Sequence, residues 1–159
     1  FNVGQCPDAV TQVAAVEPSD TGWQLGAERI AASTIPIERS GLDGQRLPFD
    51  DDTFDSALST FTLCTIPDLP AALAELRRVV KPGGVFAFFE HGNAPDEGVR
   101  RWQRRLEPLQ KRVGGGCHLT RDIPALVSDA GWDVVELDSF YGQVPKTFSA
   151  FSVGYARNP

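Results

Sequence analysis

The stretch GLDGQRLPFDDDTFDSALSTFTLCTIPD (41–68), continued by LPAALAELRRVV (69–80) and KPGGVFAFFE (81–90), decides the fold. It reads as a loop, a buried strand over Phe54–Thr60, a helix, a glycine turn and a second buried strand over residues 85–89. Asp68 is the expected helix cap, and Pro70 falls in the first turn, where a missing N–H costs little. Leu69, Ala72, Leu73, Leu76, Val79 and Val80 recur at three- and four-residue spacing, the signature of one buried helix face. Pro82, Gly83 and Gly84 stop the helix, and the all-apolar 85–89 run predicts a strand covered on both faces. Two parallel strands joined by a helical crossover form the βαβ unit of an open α/β sheet. Ligands of such sheets bind at the carboxyl ends of the strands. Thr60, Phe61, Thr62 and Cys64 beyond one strand, and Glu90, His91 and Gly92 at the tip of the next, are therefore the first functional candidates.

Upstream, residues 1–11 read as a loop with turn residues Gly4, Pro7 and Asp8, and residues 12–16 (QVAAV) as a short buried strand. Glu17 stands at its tip, where Rossmann-like folds hold ribose hydroxyls; a solvated strand end is the other reading. Ser19 or Asp20 caps a helix over residues 21–32, with Trp23, Ala27, Ile30 and Ala31 on one face. Residues 35–39 predict a strand near the sheet edge, since Pro36 cannot donate to a central ladder. Asp43 and Gly44 offer a carboxylate beside an unhindered backbone N–H, either to meet adenine or as an ordinary Asp-Gly turn.

Downstream, VRRWQRRLEPLQKRV (99–113) is a basic amphipathic helix that Pro108 is expected to kink. Its apolar stripe holds Val99, Trp102, Leu106, Leu109 and Val113. It covers an active-site mouth, touches an anionic membrane surface, or is a surface helix with a solvated basic face. Thr120 or Asp122 caps a further helix ending near Gly131. Residues 132–140 and 147–156 predict a closing antiparallel strand pair. His91 is either a general base or substrate contact, or a hydrogen-bonded strand-end histidine.

Composition sets the bounds. The 159 residues, 42% apolar, suit a single domain over 1–159. A net charge of −6 argues against a nucleic-acid partner. Three cysteines without regular spacing describe no disulfide framework, and no apolar run approaches membrane-spanning length, so a soluble, cytoplasmic protein is expected. Cys64, His91, Cys117 and His118 carry ligand atoms, but their scattered positions match no zinc signature, and no metal is expected.

The pieces VAAVEPS, GLDGQRLPFDDDTFD, STFTLCTIPD and RRVVKPGG, in this order and at these separations, resemble the class I S-adenosylmethionine-dependent methyltransferases of the type 11-like group. EHG, the tryptophan-bearing segment and GGCHLTR resemble a subgroup that includes methyltransferase-like proteins acting on small thiols at membrane surfaces. The resemblance implies a Rossmann-like, doubly wound α/β fold, with a mostly parallel sheet and an antiparallel last strand. It implies S-adenosyl-L-methionine as cofactor, with Glu17 on the ribose, Pro18 and Ser19 beside it, Leu42, Asp43 and Gly44 at the adenine, and Thr60 and Phe61 at the methionine part. Thr62, Leu63, Cys64, His91 and Trp102 would face a small-molecule methyl acceptor (a thiol, phenol or quinone-like compound), with His91 the candidate catalytic base. The family's first, central strand and its glycine-rich turn precede the region that Phe1 begins. A truncated chain is therefore expected, with exposed strand edges covered by a homodimer or by direct strand pairing. A non-catalytic interaction module is the alternative. A nucleotide-dependent oxidoreductase shares the acidic strand tip but does not account for the Asp43 loop or the Lys81-Pro82-Gly83-Gly84 turn.

Overall fold

A computed structural model describes Gly4 and residues 6–159, so the expected loop at residues 1–3 and 5 lies outside the described residues. The chain divides into two compact units, Phe1–Pro48 and Phe49–Pro159.

The first unit is a βαβ element. Strand β1 (Val13–Val16) leads to helix α1 (Asp20–Ala31) and then to β2 (Ile37–Gly41), which lies parallel to β1. Ser19 is the cap: its hydroxyl accepts from Gly22 N at 3.0 Å. Pro36 precedes β2, and its carbonyl accepts from Val13 N at 2.9 Å, so the proline starts the edge strand and leaves its ladder intact. The expected buried face of α1 is not found. Trp23 and Ile30 are half-buried, Ala27 and Ala31 are exposed, and no residue of the helix is fully covered. The two-stranded sheet of this unit offers too little area to enclose a helix face.

The second unit carries a four-stranded sheet in the order β3-β4-β6-β5. Strand β3 (Phe54–Thr60) leads through α2 (Leu69–Val79) to β4 (Val80–His91), which lies parallel to β3 and completes the expected βαβ unit. Asp68 accepts from Ala71 N at 3.1 Å and caps α2 as expected. The glycine turn is absorbed into β4. Phe54 pairs with Val80 and Ser56 already with Val85, so residues 81–84 bulge out of the ladder, with Gly83 at φ 78°. Helix α3 (Glu97–Val113) runs through Pro108 and is followed by α4 (Ile123–Asp129), β5 (Asp133–Tyr141), a 3₁₀ turn (Lys146–Phe148) and β6 (Ala150–Arg157). Asp122, not Thr120, caps α4 by accepting from Ala125 N at 3.2 Å. Strand β6 is antiparallel to both β4 and β5, the reversed last strand expected of this fold.

Leu69, Leu73, Val79, Phe86, Phe88, Ile123, Val127 and Trp132 are each at most 2% exposed and form the core of this unit. Each such side chain contributes about 1.5–3 kcal/mol of apolar burial. Phe86 stacks obliquely on Trp132 at 5.2 Å, and the indole N–H reaches the Leu73 carbonyl at 3.4 Å. The second face of β4 is less covered than expected: Val85, Ala87 and Phe89 are half-buried, alternating with the buried Phe86 and Phe88. Helix α3 also departs from the pattern. Gln103 is its buried residue, while Trp102, Leu109 and Val113 are 55%, 60% and 70% exposed.

Candidate functional site

At the carboxyl end of β3 the chain is hung on a buried acid. Glu90, the last apolar-run neighbour on β4, is fully withdrawn from water. One carboxylate oxygen accepts from Ser59 Oγ at 2.7 Å and Thr62 N at 3.1 Å, the other from Thr62 N at 3.0 Å and Leu63 N at 3.1 Å. Burial pushes the Glu90 carboxyl above its ordinary range, against the opposing pull of these hydrogen bonds. Arg121 secures the same loop, donating to the Leu63 carbonyl at 2.6 Å and the Pro67 carbonyl at 3.2 Å. Phe61, which begins the loop, stands at φ 51° with its N–H on the Phe89 carbonyl at 3.0 Å. That left-handed conformation costs a non-glycine residue about 1–2 kcal/mol.

Beside this loop lies a cavity of about 300 Å³ whose walls include Phe61, Cys64, His91, Cys117, Phe148 and Phe151. Phe61, Phe89 and Phe151 meet one another at centroid distances of 4.8, 5.6 and 5.8 Å, and the His91 ring lies 5.9 Å from Phe151. His91 Nδ1 is 3.5 Å from Cys117 Sγ, and its Nε2 is buried without a partner. Contact with the neighbouring thiol and burial push the Cys64 pKa up, and the contact with Cys64, with His91 adding to it, draws that of Cys117 down. The loop bearing Cys117 is tied to the β3 loop by His118 N on the Cys64 carbonyl at 2.9 Å. Among the candidates read from sequence, Phe61, Cys64 and His91 meet in this cavity. Thr60 pairs with Phe89 in the ladder, Leu63 is buried and Thr62 is exposed beside them. Trp102 lines a different cavity, of about 470 Å³, with Val99, Arg105 and Thr147, and the Arg105 guanidinium lies 5.3 Å over its ring.

The first unit presents its own candidates. Glu17 Oε1 accepts from Ser19 N at 2.8 Å, which orients the strand-tip carboxylate. Gly22 lies alongside, where an added Cβ would come within 3.2 Å of that oxygen. The glycine keeps open the space that a ribose diol needs to reach the acid, so the residues here fit a nucleoside. Asp43 Oδ1 accepts from Gln45 N at 2.9 Å and Gln45 Nε2 at 3.0 Å, bonds that hold its carboxyl below the usual range. Asp43 and Gly44 thus form the self-bonded turn that sequence left open, with Leu42, 60% exposed, beside them and Pro18 exposed after Glu17.

Sequence reasoning missed two supports of the second unit's cavity: Arg121 anchors its rim, and Gln103 donates to the Gly92 carbonyl at 3.0 Å while accepting from Ala94 N at 2.9 Å. Cys117, read in sequence only as a ligand-bearing residue at a spacing that matches no zinc signature, joins the wall, and Glu90 was legible as an acid closing an all-apolar strand.

A strand-tip acid after β1, a cavity at the carboxyl ends of β3 and β4 and a reversed last strand define a Rossmann-like fold. Residues 2–88 match the family model described as a methyltransferase domain. The chain belongs to that family, within the class I S-adenosylmethionine-dependent methyltransferases. It is 38% identical over 89 residues to the thiol S-methyltransferase TMT1B of Rattus norvegicus, an alignment spanning 55% of this chain and 36% of the rat protein. It is 57% identical over 148 residues to a demethylmenaquinone methyltransferase of Streptomyces griseus, spanning 81% of this chain and 64% of that one. The chain thus corresponds to about a third to two thirds of these relatives. The solved structure of a putative methyltransferase from Bacillus halodurans superposes with a TM-score of 0.70 at 15% identity, over 93% of this chain and 83% of the other. The [4+2]-cyclase SpnF reaches the same TM-score at 16% identity, over 96% and 67%, so the fold alone does not fix the reaction.

Proposed function

We propose that this chain is the catalytic domain, or the greater part of it, of an S-adenosylmethionine-dependent methyltransferase acting on a small-molecule acceptor. The observation that carries this reading is the cavity in which Phe61, Cys64, His91 and Cys117 meet at the carboxyl ends of β3 and β4. In the first unit Glu17 would hold the ribose, with Pro18 and Ser19 adjoining, and Leu42, Asp43 and Gly44 the adenine. In the second, Thr60 and Phe61 would serve the methionine part. The cofactor supplies a methyl group already made electrophilic by the sulfonium, so the protein's task is alignment and exclusion of water. The aromatic rings of Phe61, Phe148 and Phe151 give the cavity an apolar lining suited to a small thiol, phenol or quinone-like acceptor. A thiol attacks as its thiolate and needs little base assistance, whereas an oxygen acceptor calls on the unpartnered His91 Nε2. The thiol S-methyltransferase and demethylmenaquinone methyltransferase relatives support both acceptor classes without choosing between them.

Calorimetry with S-adenosylmethionine, followed by mass spectrometry of small thiol and hydroquinone acceptors, tests the reading. One cofactor per chain and a mass gain of one methyl on an acceptor are expected. Binding of a nicotinamide cofactor in its place would select an oxidoreductase, and no cofactor binding would leave an interaction module.

The apolar stripe on α3 supports one further element of the function, peripheral contact with an anionic membrane. Trp102, Leu109 and Val113 lie exposed along a helix that also carries Arg101, Arg104, Arg105, Lys111 and Arg112. Among the described residues no helix is long and apolar enough to cross a membrane.

A further inference from the structure

Three elements of the second unit bring two thiols and an imidazole together. Cys64 comes from the loop after β3, His91 from the end of β4, and Cys117 from the turn after α3. All three are buried, and one ligand atom from each lies within 4.8 Å of the others. A tetrahedral zinc centre, with Zn–S about 2.3 Å and Zn–N about 2.0–2.1 Å, sets its sulfur and nitrogen ligands about 3.6 Å apart. Cys117 Sγ and His91 Nδ1 are 3.5 Å apart.

The histidine argues further for a cation. His91 is 6% exposed, its Nε2 has no partner, and its Nδ1 meets only a thiol. A buried imidazole held for structure alone donates to a carbonyl or carboxylate, since an unmet donor costs about 1–3 kcal/mol. Among the described residues, neither ring nitrogen has a hydrogen-bonded oxygen partner. The loops around it are fixed by other means: Glu90 and Arg121 hold residues 62–63, and His118 N holds the Cys64 carbonyl. The cluster is a preformed set of sulfur and nitrogen donors whose loops are also held by bonds outside it.

We infer that Cys64, His91 and Cys117 form a site for a zinc-type divalent cation, three protein ligands with the fourth position open to the cavity. Three ligands and an open position are the pattern of a reactive zinc site, and two sulfurs with one imidazole favour zinc over the oxygen-seeking cations. The fourth position faces the cavity lined by Phe61, Phe148 and Phe151, so its occupant is a small, largely apolar thiol. That thiol binds as its thiolate and releases its proton to solvent. The occupant rests on the methyl-transfer reading above; the metal site does not.

The test uses the full chain, reduced and stripped of metal, titrated with Zn(II) and with Co(II). One ion per chain is expected, with a thiolate-to-cobalt charge-transfer band and the intense visible absorption of tetrahedral cobalt. Cys64→Ser, Cys117→Ser and His91→Gln should each weaken binding at least about tenfold to a hundredfold, and Cys6→Ser should leave it unchanged. Alkylation of the unaltered chain followed by mass spectrometry keeps the inference testable if the variants fail to fold: Zn(II) should protect Cys64 and Cys117 and leave Cys6 reactive. Absence of stoichiometric binding, or equal protection of all three cysteines, overturns the metal site. A change in the cobalt spectrum on adding a small thiol supports the open position, and an unchanged spectrum removes it. Metal binding without binding of S-adenosylmethionine would defeat the methyltransferase reading and leave the metal site standing.

Discussion

Glu90 shows how one side chain can position a loop. Its two oxygens gather a serine hydroxyl and the backbone N–H groups of Thr62 and Leu63, while Arg121 holds the carbonyl side of the same loop. Glu90→Gln turns an amide NH₂ toward some of these donors and should cost about 1–3 kcal/mol in urea unfolding. The effect has a pH signature. Burial raises the Glu90 pKa in the folded chain above its ordinary 4.5, so the folded state holds more protons than the unfolded state from 4.5 up to the raised value. Stability therefore falls as pH rises across that window, being fully present only below 4.5. Glutamine does not titrate, so the advantage of the natural chain over the variant should shrink as pH rises above 4.5, and an advantage that grows would contradict the assignment. Gln103 makes the complementary point about legibility. Its neighbours in sequence mark an amphipathic surface helix, and no pattern within that helix reveals that its amide reaches Gly92 and Ala94 across the end of β4. Such contacts depend on tertiary approach, which periodicity does not encode.

At the scale of elements, the sequence was informative wherever a local rule applied. The caps at Ser19, Asp68 and Asp122, the strand Phe54–Thr60 and the reversed β6 follow from side chains that bond to their own neighbours or alternate in a fixed period. It was less informative where burial depends on what packs above. The stripe on α1 is at most half-buried although its spacing is regular, and the glycine turn became a bulge because the β3-β4 ladder begins at Val80 and resumes at Val85. The cavity shows the same division. Cys64 and His91 were legible as strand-end residues, whereas Cys117 was read only as one of four scattered ligand-bearing residues, because its turn joins them through tertiary approach that spacing does not encode. Helix α3 carries the element-scale prediction. Its exposed Trp102, Leu109 and Val113 should insert into vesicles containing anionic lipid, with a blue shift of tryptophan fluorescence that high salt reduces. Trp102→Ala combined with Leu109→Ala should weaken vesicle binding about tenfold or more in a flotation assay, by loss of buried apolar area. Binding equal to that of neutral vesicles would remove the proposal.

For the molecule as a whole, the two sheets leave open edges. Among the described residues β3 has β4 as its sole ladder partner and β1 has β2, and Leu58 on β3 is 59% exposed. An open strand edge beside exposed apolar side chains is a template for pairing. The chain is therefore expected to self-associate, and sedimentation at rising concentration should register a dimer that Leu58→Lys shifts toward monomer. A monomer at every concentration would show that the edge is protected by other means. Phe61 has a different consequence, for evolution in the laboratory. A glycine there would be at ease with φ 51° but would remove a wall of the cavity and two aromatic neighbours. A library screened only for heat resistance should tolerate or enrich glycine and asparagine at this position, whereas one screened for turnover should reject them. Divergence between the two screens would identify Phe61 as a place where selection for chemistry outweighs selection for rest.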